Sequence, residues 1–186
     1  GNMGGKQGLE ILGDCALALR ERDDIHFVFC GTGPGREALE ARCAGLPRVS
    51  FMNLQPVEQL GDLLGLADIH LLPQRADAAD LVMPSKLTGM LSSGRPVIAT
   101  AHEGTELATV VARCGLVVPP EDPEALVNAI RVLASAPGQR AQFGLAARAY
   151  AEEHLDQGAV LRRFESALAQ VVQPGTGDSA QRVPSA

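Results

Sequence analysis

Short apolar segments alternate with longer amphipathic segments along most of the chain. Runs of mainly apolar residues predict strands at 25–30, 49–52, 69–72, 96–99 and 116–118, and the nearly continuous run 25–30 is typical of a strand that is buried on both faces. Apolar residues at helical spacing predict helices over 6–22, 35–44, 56–66, 84–93, 104–112, 123–133, 139–154 and 158–171. From Gln173 onward small and polar residues predominate, so we predict a disordered tail over 173–186.

This alternation predicts a doubly wound, Rossmann-like α/β fold with a parallel sheet, because consecutive parallel strands need helical crossovers. We assign that domain to residues 1–155 and a C-terminal helix to 156–172. Parallel sheets bind ligands beyond the carboxyl ends of their strands, close to helix N-termini. The loops in which we expect a site are 1–6, 31–35, 53–56, 73–85 and 101–106.

The composition narrows the class of partner. The chain has 186 residues, of which 46% are hydrophobic, and a formal net charge of -6, as is typical of a folded domain. A negative field opposes general binding to nucleic acid or to a membrane surface. With five Phe, one Tyr and no Trp, the chain offers no stacking platform for single-stranded nucleic acid. A small anionic ligand responds to local charge and is not excluded.

The cysteines and the chain ends carry further expectations. None of Cys15, Cys30, Cys43 and Cys114 has the close spacing of a zinc or redox pair, so we interpret them as core residues in a reducing cytoplasm. No apolar run approaches the roughly 20 residues that cross a bilayer. The opening residues 1–5 resemble the inside of a loop, so we expect a fragment whose first strand lies upstream.

Lys6 and Lys86 are the two lysines of the chain, and the other basic residues are arginines. Each lysine lies where a helix is predicted to begin. Helix N-termini offer unpaired N–H groups and a partial positive charge, and an ammonium group beside them suits a phosphate or diphosphate. We predict that the two ammonium groups converge on one anion. The alternative is that the chain generally uses Arg, and that the positions of its two lysines are due to chance.

The segment Gly31-Thr32-Gly33-Pro34-Gly35 joins a predicted strand to a predicted helix, as a dinucleotide-binding loop does. Its third glycine comes one residue early, and Pro34 lacks the N–H group that a phosphate would accept from. Asn53 stands where a dinucleotide site would place an acidic residue. A tight turn that lines a pocket is therefore the better interpretation.

The segment Met83-Pro84-Ser85-Lys86-Leu87 is more informative. Proline sets the first turn of the helix, after which Ser85 and Lys86 can offer a hydroxyl, an N–H and an ammonium group to one anion. A simple helix cap with an exposed lysine is the alternative. Asp77 and Asp80 lie in the polar loop just before, where they either face solvent or accept hydrogen bonds from ligand hydroxyls. Glu106 is interpreted as the capping acid of a later helix.

None of the four histidines has the spacing of metal ligands. His26 and His70 lie at strand edges and are expected to be structural, whereas His102 lies in a ligand-side loop and its role stays open. No Ser-His-Asp or Cys-His arrangement follows from the spacing, so the catalytic residues are unknown.

Taken in this order, the motifs resemble the C-terminal domain of a retaining nucleotide-sugar glycosyltransferase of the GT-B type, family 4. The resemblance runs from Gly1 to about Val171, and Pro-Ser-Lys-Leu at 84–87 is similar to the exopolysaccharide and colanic-acid subgroup. The segments that carry it are 1–4 with 6–9, 28–34, 49–53, 66–73, 83–87 and 94–99.

The resemblance implies that the domain binds a GDP- or UDP-linked sugar, which the whole bacterial enzyme moves to a glycan or lipid-linked acceptor in surface polysaccharide synthesis. The implied contacts are Gly4, Lys6, Ser85 and Lys86 with the diphosphate, Gly31, Asn53 and Leu54 with the nucleoside, and Asp77 and Asp80 with the sugar. It implies no cofactor and no metal, since lysines and helix dipoles take that place. The acceptor site would lie in an absent N-terminal domain, so the fragment alone is expected to be inactive. The resemblance also implies a cytoplasmic location and is compatible with peripheral association at the inner face of the membrane.

One departure from the family pattern concerns two glutamates separated by seven residues, which many members carry. Counted back from Gly94, the second position is Gly89 and the first lies near Leu81, and neither is acidic. Asp80 is at best a shifted substitute for the first, so the anchoring of the ribose by glutamate is open to question.

Two alternatives share these features. A GT-B sugar-nucleotide 2-epimerase has the same sheet and diphosphate site but abstracts a proton from the sugar. A non-catalytic interaction module of polysaccharide assembly would have lost donor binding, which the missing glutamate favours.

Overall fold

The computed structural model describes residues 1–4, 7–78 and 83–172. Within these ranges the strands are β1 Phe27–Cys30, β2 Val49–Met52, β3 His70–Leu72, β4 Val97–Thr100 and β5 Gly115–Val118. The α-helices are α1 Glu10–Ala18, α2 Gly35–Arg42, α3 Leu60–Leu66, α4 Ser85–Ser92, α5 Glu106–Cys114, α6 Pro123–Ala134, α7 Pro137–His154 and α8 Gln157–Val172. Short 3-10 turns cover Val57–Gln59 and Ala76–Ala78. Each predicted strand and helix has a counterpart.

Every pairing between these strands is parallel, which confirms the predicted Rossmann-like α/β class. β1 pairs with β2, with Phe27 opposite Val49. β4 lies between β3 and β5, with Val97 opposite both His70 and Gly115. The described strands therefore form a two-stranded and a three-stranded sheet rather than one continuous sheet.

Helices cover both faces of the three-stranded sheet, as a doubly wound fold requires. All of β4 is buried, and successive side chains of a strand point to opposite faces. Ile98 belongs to a core that also contains Phe29 of β1 and residues of α1 and α6. Val97 and Ala99 belong to a second core, formed with α4, α5 and α7. The first core thus joins the two sheets, because it draws side chains from both.

Two helices begin later than the sequence pattern predicts. α1 begins at Glu10 rather than near residue 6, and Gly8 just before it has φ of 60°, in the left-handed region outside a right-handed helix. α5 begins at Glu106, and its N-cap is Thr105, whose hydroxyl accepts from the N–H of Ala108 at 3.1 Å. The interpretation of Glu106 as the cap is therefore wrong, since Glu106 is the first residue of the helix.

The end of the described chain consists of two long helices. α7 packs against α4 and α5, and α8 follows it from Gln157 to Val172. The predicted disordered tail, 173–186, lies outside the described residues. Among the helices that are described, none combines the length and the apolar composition needed to cross a membrane.

Candidate functional site

The first residues of the chain lie against the turn that follows β1, backbone to backbone. The N–H of Thr32 donates to the carbonyl of Gly1 at 3.2 Å, and the N–H of Met3 donates to the carbonyl of Thr32 at 2.8 Å. A Cβ on Gly31 would overlap the Gly1 carbonyl, and a Cβ on Gly33 would lie 2.7 Å from the Met3 carbonyl oxygen. The two glycines thus allow two loops to meet at the carboxyl end of β1, which agrees with the prediction of a tight turn.

Lys86 joins the start of α4 to the segment that precedes α1, which we call the first loop. The residue before the helix, Pro84, is extended, and the helix begins at Ser85. The Nζ of Lys86 donates to the carbonyl of Asn2 at 2.8 Å and to Oε1 of Gln7 at 2.7 Å. A cation at the N-terminus of a helix, Asn2 and Gln7 are therefore brought together from distant parts of the sequence.

The charge of Lys86 is not balanced by a carboxylate of the described residues. Its ammonium group has three protons, and the two acceptors that it contacts are neutral oxygens. The side chain is half-buried, and this burial lowers the pKa of Lys86 below its ordinary value of 10.5. A bound anion would supply the missing negative charge and would raise the pKa again.

Arg36 ties together the carboxyl ends of β1 and β2. Its Nη1 donates to the carbonyl of Gly31 at 2.7 Å, to the carbonyl of Met52 at 3.1 Å and to Oδ1 of Asn53 at 2.9 Å. Its Nε donates to Glu40 at 2.7 Å. Sequence reasoning missed Arg36, although its place in the first turn of the helix after β1 directs a long side chain towards this edge.

The loop after β3 is held by the neighbouring strand and by the loop after β5. The N–H of Gln74 donates to Oγ1 of Thr100 at 2.7 Å, and the same hydroxyl donates to the carbonyl of Gln74 at 2.8 Å. Thr100 is buried at the last position of β4. The N–H of Ala76 also donates to Oε1 of Glu121 at 3.4 Å. Hydrogen bonds to β4 and to the loop after β5 thus hold the backbone of this loop, while its outward-facing side chains remain exposed.

Some of the predicted site residues are brought together. The first loop, which includes Gly4, contacts Lys86, and Gly31 and Asn53 share the guanidinium group of Arg36. Gly8, at the end of the same loop, lies against Arg75: a Cβ there would be 3.2 Å from Cγ of that side chain. Loops after β1, β2 and β3 and the start of α4 therefore form one edge of the molecule.

Other predicted residues are not linked to this group by described contacts. Ser85 and Leu54 are exposed, and no described residue bonds to the hydroxyl of Ser85. Asp77 is exposed and lies 3.6 Å from Nε of Arg75. Lys6 and Asp80 fall outside the described residues, so the convergence of the two ammonium groups stays a prediction.

The position where the family carries its second glutamate faces a helix. Gly89 lies in α4, and a Cβ on it would be 3.1 Å from Cδ1 of Leu64 in α3. The first position, near Leu81, is outside the described residues. At position 89 the absence of a side chain leaves room for the contact between α3 and α4.

The histidines at strand edges each lie within hydrogen-bond distance of a serine, and His70 is also buried, as a structural role requires. The Nε2 of His26 is 2.8 Å from Oγ of Ser50, and the Nε2 of His70 is 3.0 Å from Oγ of Ser93. Burial, and next the positive charge of Arg95, lower the pKa of His70 to about 4, so the ring is neutral at pH 7. Among the described residues, no three His, Cys, Asp or Glu side chains group together in a way that could hold a metal ion.

Fold and loops together define a Rossmann-like domain with a candidate anion site at the carboxyl edge of its strands. The chain belongs to the family described as Glycosyl transferases group 1, whose sequence model matches residues 1–136. The resemblance to a GT-B glycosyltransferase is thereby confirmed.

Among the similar proteins is WcaI of Escherichia coli K12, which its name assigns to glycosyl transfer in colanic acid biosynthesis. It is 40% identical over 172 residues, which are 88% of this chain and 40% of that protein. A D-inositol 3-phosphate glycosyltransferase of Corynebacterium urealyticum is 30% identical over 160 residues, which are 80% of this chain and 36% of that protein.

Among solved structures, Alr3699/HepE of Anabaena in complex with UDP shares the fold, with a TM-score of 0.75 at 17% identity. The match covers 91% of this chain and 47% of that one. The chain thus spans less than half the length of the relatives that it matches.

Proposed function

We propose that the chain is the donor-binding domain of a glycosyltransferase that moves a sugar from a nucleoside-diphosphate sugar to a glycan or lipid-linked acceptor. We assign the process to surface polysaccharide synthesis. Membership of the family supports the reaction, and the similarity to WcaI supports the process. HepE, which shares the fold, has been crystallised with UDP and with UDP-glucose, which supports a nucleotide-sugar as the donor.

The observation that carries this proposal is Lys86. A half-buried ammonium group without a described acidic partner lies at the N-terminus of α4, against the first loop. A diphosphate could take the free donor of Lys86 together with unpaired N–H groups of the helix end. The position and charge of Lys86 and the family membership of the chain support our proposal of a site for the donor diphosphate here.

The proposed contacts are those that the family resemblance implies. Around the diphosphate we place Gly4, Lys6, Ser85 and Lys86, around the nucleoside Gly31, Asn53 and Leu54, and around the sugar Asp77 and Asp80. During transfer the bond between the anomeric carbon and the β-phosphate oxygen breaks, and the nucleoside diphosphate leaves with the bonding electrons. Lys86 and the end of α4 would stabilise that developing negative charge, which lowers the barrier.

Calorimetric titration of UDP and GDP into the 186-residue chain tests the donor site. Lys86→Met removes the charge but keeps the aliphatic stem, and we expect it to weaken binding about tenfold or more, as for a lost charge-assisted hydrogen bond. Arg113→Ala is the matched control, because this exposed cation lies at the end of α5, near the amino end of β5. We expect no change in affinity for the control.

Two results would contradict the proposal. If neither nucleotide binds at millimolar concentration and Lys86→Met changes nothing, the chain is better explained as a non-catalytic interaction module. If a longer protein that contains this chain returns its sugar on the nucleotide with altered stereochemistry, it is an epimerase. Release of free UDP or GDP that requires an acceptor is the result expected of a transferase.

A further inference from the structure

Arg36 fixes the orientation of the Asn53 side chain. Arginine has only donors, so the atom of Asn53 that lies 2.9 Å from Nη1 is the side-chain oxygen. The amide nitrogen, Nδ2, is therefore on the other side of the group. No described residue accepts a hydrogen bond from this nitrogen, so its two protons remain to be used.

The backbone oxygen of Asn53 is already engaged, in contrast to Nδ2. The Sγ of Cys30 donates to it at 3.1 Å, and Nε2 of Gln55 donates to it at 2.9 Å. Asn53 is itself exposed and follows β2 directly. At this edge of the sheet it consequently presents a hydrogen-bond donor rather than an acceptor.

The guanidinium group that holds Asn53 is itself held in place. The Arg36 side chain is 21% exposed, its Nε pairs with Glu40, and its Cζ lies 6.0 Å from the centre of the Phe51 ring. Two strand-end carbonyls complete its contacts. A donor that is oriented before the ligand arrives does not lose that conformational freedom on binding, so it contributes more to affinity.

We propose that Arg36 is a positioning residue that directs Nδ2 of Asn53 at a carbonyl oxygen of the nucleobase. This inference rests on the proposed donor site and adds its base specificity. Uracil O4 and guanine O6 are carbonyl oxygens that accept from Nδ2, whereas adenine has at the corresponding position an amino group, N6, which is itself a donor. The pair Arg36–Asn53 therefore selects UDP- or GDP-linked donors over ADP-linked donors, while Arg36 itself contacts only the protein.

Titration of UDP, GDP, ADP and inorganic pyrophosphate into the 186-residue chain tests this selection. We expect UDP or GDP to bind about tenfold more tightly than ADP, the size expected of one amide–carbonyl hydrogen bond. Comparison of UDP with GDP then identifies which of the two bases fits. Pyrophosphate reports the diphosphate subsite alone, without a base.

Asn53→Asp gives the sharpest test. Its carboxylate can keep the bond to Arg36 but presents an acceptor in place of Nδ2. Relative to pyrophosphate, which corrects for the added charge, we expect UDP and GDP to lose about tenfold or more in affinity, whereas ADP, with its amino group, does not. The preference among bases is thereby abolished or reversed.

Variants of Arg36 test the positioning role separately from folding. Arg36→Met removes every donor, and we expect the base preference to shrink several-fold while pyrophosphate binds as before. Arg36→Lys restores one donor and part of the preference. Glu40→Gln removes the charge of the ion pair but keeps an oxygen that accepts from Nε, and it leaves the bonds of Nη1, so it keeps the preference. Thermal unfolding of each variant confirms that it is folded.

The proposed diphosphate site and the proposed base selection are contradicted by different results. Equal binding of the three nucleotides by the wild type, or an unchanged order in Asn53→Asp, overturns the role of Arg36 and Asn53 and leaves the diphosphate site standing. If neither the nucleotides nor pyrophosphate bind, the donor site and this inference are both overturned.

Discussion

The Nζ of Lys86 lies 2.7 Å from Oε1 of Gln7, although 79 positions separate the two residues in the sequence. The bond places the N-terminus of α4 beside the loop that follows the first residues of the chain. Lys6, the neighbour of Gln7 in the sequence, lies outside the described residues, so its approach to Lys86 stays a prediction. The anion site that we propose depends on this meeting of loops.

The salt dependence of nucleotide affinity tests the charge at this site. We expect UDP and GDP to bind less tightly as ionic strength rises from low to physiological, where the Debye length is about 8 Å. Lys86→Met lowers the affinity and also flattens the slope of log Kd against log salt concentration. An affinity that does not change with salt would show that the ligand is held mainly by uncharged groups.

Thr100→Val tests how the loop after β3 is held. Valine fills the same space but removes the hydroxyl that bonds both the N–H and the carbonyl of Gln74. We expect a loss of about 1–3 kcal/mol in the free energy of unfolding, because polar groups at a part-buried position lose their partner. Chemical denaturation measures the loss, and hydrogen exchange at the Gln74 amide is expected to accelerate.

Thr109→Val is the control for Thr100. Thr109 is exposed in α5, and its hydroxyl donates to the carbonyl of Thr105 at 3.0 Å. Surface substitutions of this kind usually change stability by no more than about 0.5 kcal/mol. Equal effects of the two variants would mean that the hydroxyl of Thr100 does not stabilise the loop.

We expect His70 to make the protein less stable in acid. Its pKa is about 4 in the folded protein and near 6.5 in the unfolded chain, so below pH 6.5 the unfolded state binds the proton more readily. The stabilising effect of the neutral ring is therefore complete above pH 6.5 and is lost as the pH falls towards 4. The full effect is on the order of 3 kcal/mol.

His70→Gln removes this proton but retains a donor for Ser93. We expect its free energy of unfolding to fall less than that of the wild type between pH 7 and pH 4.5, as measured by urea denaturation at each pH. His102→Gln, in the exposed loop after β4, is expected to follow the wild type. Parallel curves for His70→Gln and the wild type would contradict the assignment.

Gly144 allows α7 to lie against the turn that ends α4. A Cβ on Gly144 would overlap the carbonyl of Gly94, which is backbone and cannot rotate away. We expect Gly144→Ala to lower the free energy of unfolding by about 1–3 kcal/mol through overpacking. Chemical denaturation at pH 7 provides the measurement.

Gly138→Ala in the same helix is the matched control. Nothing lies within 4 Å of a Cβ at this position, and alanine favours the helix over glycine. We expect it to raise stability by about 0.5–1 kcal/mol, as glycine-to-alanine changes in unstrained helices do. If the two variants change stability in the same direction, the contact between Gly144 and Gly94 is not what restricts position 144 to glycine.

The sequence predicted the fold more completely than the site. β2 at Val49–Met52 matches its prediction because a short apolar run between turn-forming segments has few other structures open to it. Local chemistry also explains the start of α6, where Asp122 accepts from the N–H of Ala125 as an N-cap. The helix beyond β4 begins at Glu106 rather than at 104, and Thr105 rather than Glu106 caps it, because both residues suit a helix start and only the backbone distinguishes the cap from the first turn.

Arg36 illustrates what a sequence cannot provide. Its partners come from the ends of two strands, and its position in the sequence does not show that one nitrogen meets all of them. Gly33 is similar, because the carbonyl group that leaves no room for a side chain at this position belongs to Met3. Such contacts depend on distances between segments that are far apart in the chain.

Periodicity, glycine and proline therefore determined the elements and their parallel arrangement, because these follow from local backbone preference and the need to bury apolar faces. Only the tertiary structure decided which loops meet, that Lys86 reaches the first loop, and that Arg36 orients Asn53. The reason is physical: a hydrogen bond is short and directional, and its partners are fixed only once the sheet and its helices are packed.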